Sequence, residues 1–170
     1  MINGYDVLQD KYPDFTDEQR TPNGIDLTLG NVYEVKSNGY IYGLLKEGKN
    51  VPPHIMLQSE TISTHGGNIK GWVLKPHTSY ILEVENEIQI SDDCMQTYYP
   101  RSTLLRSGCT LHTAVGDAGY NGKLAFLFIN HTTNDFVLEE GVRFAQLVDH
   151  QIEGSSKQYD GDYQNDKHKQ

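Results

Sequence analysis

The stretch YPRSTLLRSGCTLHTAVGDAGYNG, residues 99–122, gathers two of the chain's four arginines, a proline, four glycines and an isolated aspartate. Arg101 and Arg106 stand among Ser102, Thr103 and Gly108; Arg143 lies three residues before Gln146, and Arg20 is the fourth. A guanidinium offers a planar fork of donors that matches phosphate oxygens, whereas a lysine is a flexible point charge. With 23 acids in the chain, arginines so placed have two readings: a polyphosphate site, or pairing with surface carboxylates. Asp117 also has two. It is either a base acting on a water or a turn residue satisfying its own backbone.

Several chemistries are absent from the sequence. There is no GxxxxGK[ST] or GxGxxG loop and no G-x-S-x-G elbow. A zinc deaminase needs a Cys-x-x-Cys pair, which the chain lacks. The seven histidines are scattered, none in a helical i, i+4 pair, and read as surface or loop residues. A net charge of −9 and a pI near 5.1 argue against nucleic acid or an anionic membrane surface as partner, since the long-range field repels both. No apolar run approaches membrane length and no secretion signal is seen, so the expected location is cytoplasmic, with Cys94 and Cys109 as reduced thiols. The glycosylation pattern at Asn130-His131-Thr132 is then read as chance.

The elements that must position these residues read as mainly β. Residues 2–19 read as one short helical stretch, broken at Pro13, and LLRSGC reads as one or two helical turns. Elsewhere short runs rich in β-branched and aromatic residues alternate with Gly, Pro and Asn breaks: GIDLTLG, NVYEVKS, YIYGLL, IKGWVL, SYILEVENEIQI, KLAFLFIN, FVLEEG and RFAQLVDHQI. Many short strands at close spacing predict a distorted β-barrel or jelly-roll-like sandwich. Residues 58–70 read as a polar loop or hairpin insert. The chain reads as one domain over residues 1–152, with a polar tail over 153–170 expected to be mobile.

Taken in order, these segments resemble the dCTP deaminase/dUTPase superfamily. TPNGIDLTLGNVYEV resembles its opening strand pair and LKPHTSYILEVENEIQIS its central one. PRSTLLRSG is similar to the Arg-Ser-Ser-Leu-Ala-Arg motif, VGDAGYNGKLAFLFIN to the hairpin around base and sugar, LEEGVRFAQLV to the Gly-x-Arg-x-Ala-Gln-Leu motif, and KQYDGDYQ to the deaminase lid. The resemblance implies a dUTPase-type barrel, a homotrimer with sites between subunits, and a pyrimidine deoxynucleoside triphosphate as ligand. It implies that Arg101, Ser102 and Thr103 hold phosphate oxygens, with Gln146 joining from the neighbouring subunit and Arg106 matching the second arginine of the deaminase motif. Asp117 would bind the 3′-hydroxyl or activate the attacking water. Tyr120 would stack under the deoxyribose, the backbone from Gly116 to Gly122 would read the base edge, and Tyr159 would be the first aromatic of a closing lid. Arg143 either binds phosphate or braces a carboxylate. Asp162 stands where the lid usually has a lysine, a role open to Lys157 or Lys167.

Within this superfamily the deaminases carry a proton-shuttling Glu after the hairpin, where this chain has Leu127, and leucine cannot move a proton. The expected activity is therefore Mg²⁺-dependent hydrolysis of dUTP to dUMP and pyrophosphate, with Mg²⁺ held by phosphate oxygens and water and no protein metal ligand. The alternatives are dCTP deamination, alone or joined to hydrolysis, a diphosphatase for another pyrimidine nucleotide, and a nucleotide-sensing protein without turnover.

Overall fold

The computed structural model describes residues 1–36, 40–41, 49–50, 54–161 and 163–165. The chain opens with helix α1 (Tyr5–Lys11), which stops at Tyr12 because the following Pro13 disfavours helical backbone in the residue before it. Strands β1 (Arg20–Thr21) and β2 (Gly24–Val35) follow, then the short β3 (Tyr40–Ile41), β4 (Lys49–Asn50) and β5 (His54–Met56). A polar hairpin, β6 (Glu60–Thr64) and β7 (Gly67–Leu74), realises the second of the two readings of residues 58–70. The long β8 (Ser79–Gln89) leads to β9 (Cys94–Pro100), helix α2 (Ser102–Arg106) and β10 (Cys109–His112). The chain then runs through β11 (Asn121–Asn130), β12 (Phe136–Glu139) and β13 (Arg143–Gln151). Most of YIYGLL falls outside the described residues.

The main sheet runs in the order β10-β11-β8-β2-β13-β9. It curls until its edges meet. Gln96 of β9 and Gly116 exchange backbone bonds of 2.9 Å, and the Thr113 hydroxyl donates to the Tyr98 carbonyl at 3.0 Å. A nearly closed barrel leaves little unpaired edge, the constraint that makes many short strands stable together. Its inside is lined by Ile25, Leu27, Leu82, Phe128, Phe144 and Leu147, all nearly or fully inaccessible. A smaller sheet, β12-β7-β6, packs Trp72, Leu74 and Leu138 into the same core.

The expected opening strand pair is one strand. β2 runs unbroken through Gly30, where its pairing with β8 shifts between Leu29 and Asn31. A side chain at Gly30 would stand 2.9 Å from the Glu85 Cα, so a glycine bulge bends the strand where a turn was expected. The central segment likewise forms the single strand β8.

α1 is fixed to the barrel by a fully buried Asp149. It accepts hydrogen bonds from Asn3 Nδ2 (2.6 Å), Lys11 Nζ (2.7 Å) and the Tyr12 hydroxyl (2.9 Å). Burial alone would raise its pKa, but these donors and the Lys11 charge hold it below the usual carboxylate range. Asn130 is fully buried, with its side-chain amide donating to the Leu74 and Asn134 carbonyls, which removes it as a sugar acceptor. Cys94 and Cys109 are both buried and unpaired.

Candidate functional site

Two clusters of the singled-out residues form at opposite ends of β9. The first is charged. Arg101 follows β9 in extended backbone, and its N–H donates to the Phe144 carbonyl at 3.0 Å, so it leaves the sheet in a fixed direction. Its Nε lies 3.2 Å from Asp26 Oδ2, and Arg143 Nη1 lies 3.6 Å from the same oxygen. Asp26 is buried on β2. Burial pushes its pKa up, against the opposing pull of the two guanidinium groups. Arg143 also donates to the Glu18 carbonyl, so it braces this cluster. Arg101 spends one edge of its fork on Asp26 and keeps about a third of its side chain exposed for a further anion.

Ser102 and Thr103 open α2 immediately after Arg101 and are exposed, while Leu104 anchors the turn in the core. The helix ends at Ser107, and Gly108 follows with φ +75°. Arg106 closes the helix, exposed, and forms no ion pair among the described residues. Gln146 lies on β13 opposite both Asp26 and Tyr99, and donates to the Thr21 hydroxyl. It therefore stands at the Arg101 end of the same chain and needs no partner to reach it. Arg20 pairs with Asp17 at 2.8 Å, outside the cluster.

The second cluster is the loop between β10 and β11. Asp117, Ala118, Gly119 and Tyr120 form a turn closed by a bond of 3.1 Å from the Tyr120 N–H to the Asp117 carbonyl, with Gly119 at φ +78°. The Asp117 backbone does satisfy a turn, and its side chain is exposed beyond it. Gly116 is wedged against the barrel; a Cβ there would meet the Tyr98 hydroxyl and lie 2.7 Å from Ile90 Cδ1. Tyr120 is buried, its hydroxyl donating to the Lys123 carbonyl at 2.9 Å, and its ring packs edge-on to Tyr159 with centroids 5.5 Å apart. The described part of the tail, 153–161 and 163–165, thus lies on the hairpin. Asp162 and Lys167 fall outside the described residues.

Four residue steps along β9, about 13 Å of extended chain, lead from Gln96, the bridge partner of Gly116, to Pro100 beside Arg101. A cavity of about 570 Å³ beside the hairpin is lined by Lys11, Tyr12, Glu87, Ser91 and Asn121, and by neither Arg101 nor Asp117. Leu127 sits half-buried on β11 opposite His112 and Ile81, with no acid in either paired position. Glu83, buried on the same sheet, accepts from Asn31 at 2.8 Å. Among the described residues, no group of three His, Cys, Asp or Glu could hold a metal ion, and no helix is long and apolar enough to cross a membrane.

Asp26 was missed as a site residue. Its signal was an acid set between Ile25 and Leu27 in an otherwise apolar strand start.

A nearly closed barrel thus carries a braced arginine cluster at one end of a strand and a glycine hairpin at the other. The chain belongs to the dCTP deaminase-like family, whose model matches residues 6–152. It is 37% identical over 163 residues to a Methanopyrus kandleri protein named "Probable deoxyuridine 5'-triphosphate nucleotidohydrolase", covering 96% of this chain and 99% of that one. A Methanothermobacter thermautotrophicus protein with the same name is 38% identical over 164 residues, again covering 96% and 99%. The Methanocaldococcus jannaschii deoxyuridine 5'-triphosphate nucleotidohydrolase is 28% identical, covering 96% of this chain and 98% of that one. In fold, the chain is similar to the crystal structure of 2'-deoxycytidine 5'-triphosphate deaminase from Agrobacterium tumefaciens. The TM-score is 0.65 at 19% identity, over 87% of this chain and 46% of that one, so this chain spans under half of that neighbour's length.

Proposed function

We propose that this protein hydrolyses dUTP to dUMP and pyrophosphate. The observation that carries the reading is Leu127. The residue set for phosphate and sugar is present, but the position that would move a proton during deamination holds an aliphatic side chain between apolar and histidine neighbours. Near full-length similarity to proteins named deoxyuridine triphosphate nucleotidohydrolases supports the same activity.

In this reading Arg101, pre-aimed by Asp26, Ser102, Thr103 and Gln146 grip the phosphate chain. Arg106 extends the positive surface along α2. Asp117 takes the proton of the water that attacks the α-phosphorus, Tyr120 supports the deoxyribose, and the backbone from Gly116 to Gly122 meets the base. Mg²⁺, if bound with the triphosphate, would supply charge neutralisation at the phosphate oxygens held by Arg101, Ser102, Thr103 and Gln146. Asp26 is committed to two guanidinium groups, and among the described residues no carboxylate cluster surrounds Arg101, so this donor set fits phosphate oxygens.

Asp117 and the phosphate grip must act on neighbouring atoms, yet β9 holds the two clusters apart. A second copy that brings its hairpin to the first copy's arginine end closes that gap, which supports a homotrimer with sites between subunits. Tyr159 and the tail close over the substrate. Two unpaired buried thiols fit a reducing compartment, and we assign the enzyme to the cytoplasm.

The test is a chromatographic assay with Mg²⁺ and, separately, dUTP, dCTP, dTTP and UTP. dUMP and pyrophosphate from dUTP alone are expected. Release of dUTP or dUMP from dCTP would overturn the role given to Leu127, and binding without turnover would favour a nucleotide sensor.

A further inference from the structure

The tail makes a contact that the activity does not require. Ser156 and Gln158 hold it to Asp92, the latter through Nε2 to Oδ2 at 2.6 Å, and the Tyr159 N–H donates to the Ala118 carbonyl at 2.8 Å. The chain then doubles back and lays the Gln164 side chain against the hairpin. Its Nε2 donates to the Gly119 carbonyl at 2.9 Å, and its Oε1 accepts from the Asn121 N–H at 3.0 Å. Asn121 Nδ2 adds a bond of 3.1 Å to Asn165. The two backbone groups flank Tyr120, the residue proposed to lie under the sugar.

A primary carboxamide presents a carbonyl oxygen and an N–H side by side. The edge of uracil presents the same pair, O4 or O2 next to N3–H. One carbonyl and one N–H, two residues apart on a glycine turn, can take either group and cannot take both at once. We propose that Gln164 is an internal stand-in for the pyrimidine edge, covering the base-reading peptide groups until a nucleotide displaces it. This rests on the proposed assignment of the hairpin to the base. The two groups would otherwise face solvent or remain half-satisfied; the tail satisfies them with a neutral side chain that costs little to move. Nucleotide entry and withdrawal of the Gln164 side chain are then one exchange, and apparent affinity is reduced by the fraction of molecules in which Gln164 is in place.

The test uses the full chain with Gln164→Ala and Gln164→Glu. The second variant keeps the length of the side chain but removes the donor for the Gly119 carbonyl. Amide hydrogen exchange at Asn121 is read without ligand, and dUMP binding is read by calorimetry. Exchange at Asn121 at least about tenfold faster is expected in Gln164→Ala, which removes the acceptor, and a dUMP Kd about fivefold lower is expected in both variants, as for a competitor present in most molecules. Unchanged exchange at Asn121 would show that Gln164 does not cover the groups in solution. Faster exchange with unchanged or weaker dUMP binding would show that they are covered but not used by the base. Either result overturns the proposal while wild-type binding leaves the dUTPase reading standing. Absence of dUMP binding and dUTP turnover in the wild type as well would overturn both.

Discussion

Arg101 meets a buried carboxylate before any ligand arrives, whereas the hairpin at the other end of β9 presents peptide groups that a neutral glutamine covers. Under the proposed function, the difference follows from what each end would bind. A phosphate chain is recognised by charge, and a flexible guanidinium is useful only if held; Asp26, itself buried, supplies that restraint from below. A base edge is recognised by hydrogen-bond pattern, and backbone supplies the pattern without side-chain entropy. Substitutions at the charged end should therefore alter binding, while most substitutions at the hairpin should be silent unless they disturb the path of the backbone.

Asp117 is the exception at the hairpin, because the role proposed for it uses its side chain. Asp117→Asn should lower kcat for dUTP by about 100-fold or more, the usual contribution of a base, with dUMP binding little changed; near-normal turnover in a steady-state assay would remove it from the chemistry. Gly116→Ala tests the backbone path. Its new methyl meets the Tyr98 hydroxyl, which is pinned by a bond of 2.8 Å to Gln96, so a stability loss of about 2 kcal/mol from overpacking should appear as a lower thermal midpoint.

Asp26→Asn discriminates between two accounts of the charged end. If Asp26 aims Arg101, loss of the charge-assisted pair should raise KM for dUTP about tenfold. A fall in KM would mean that the carboxylate only offsets positive charge, and the comparison between the two ends would collapse. The smallest effect belongs to Asn121→Ala, which removes a side chain but keeps the N–H. A change in KM of less than about threefold is expected, within the spread of a single exposed hydrogen bond, and a larger change would show that the side chain, not the peptide, meets the ligand.

Much of the barrel was legible because β7, β8, β11 and β13 are long and carry regularly placed aliphatic and aromatic residues. β9 and β10 were not. CMQTYYP carries Gln96, which is fully buried only because Tyr12, Tyr98 and Asp149 satisfy its amide, and two of those partners, Tyr12 and Asp149, come from distant parts of the chain. A periodicity over ten residues cannot register that compensation. The bulge at Gly30 was hidden for a related reason: a glycine between two apolar runs reads as a break unless the neighbouring strand is known.

The site divides the same way. Arg101, Ser102, Asp117 and Tyr120 stood out by residue type and motif order, and the chain belongs to the family those motifs resemble. Asp26 lay inside a quoted motif without a role, since nothing local shows that two arginines from 75 and 117 residues later will converge on it. Gln164 was invisible because a polar tail reads as mobile, and its order comes from two peptide groups rather than from any apolar stripe.

β9 also acts as a gauge. Extended chain advances about 3.3 Å per residue and turns successive side chains to opposite faces, so the span between the hairpin bridge and the arginines cannot be adjusted by one residue without inverting the strand. It changes in steps of two, about 7 Å at a time, far coarser than the difference between one nucleotide and the next. Adaptation to a longer or bulkier ligand would therefore leave this strand's length alone and work through the loops at its two ends.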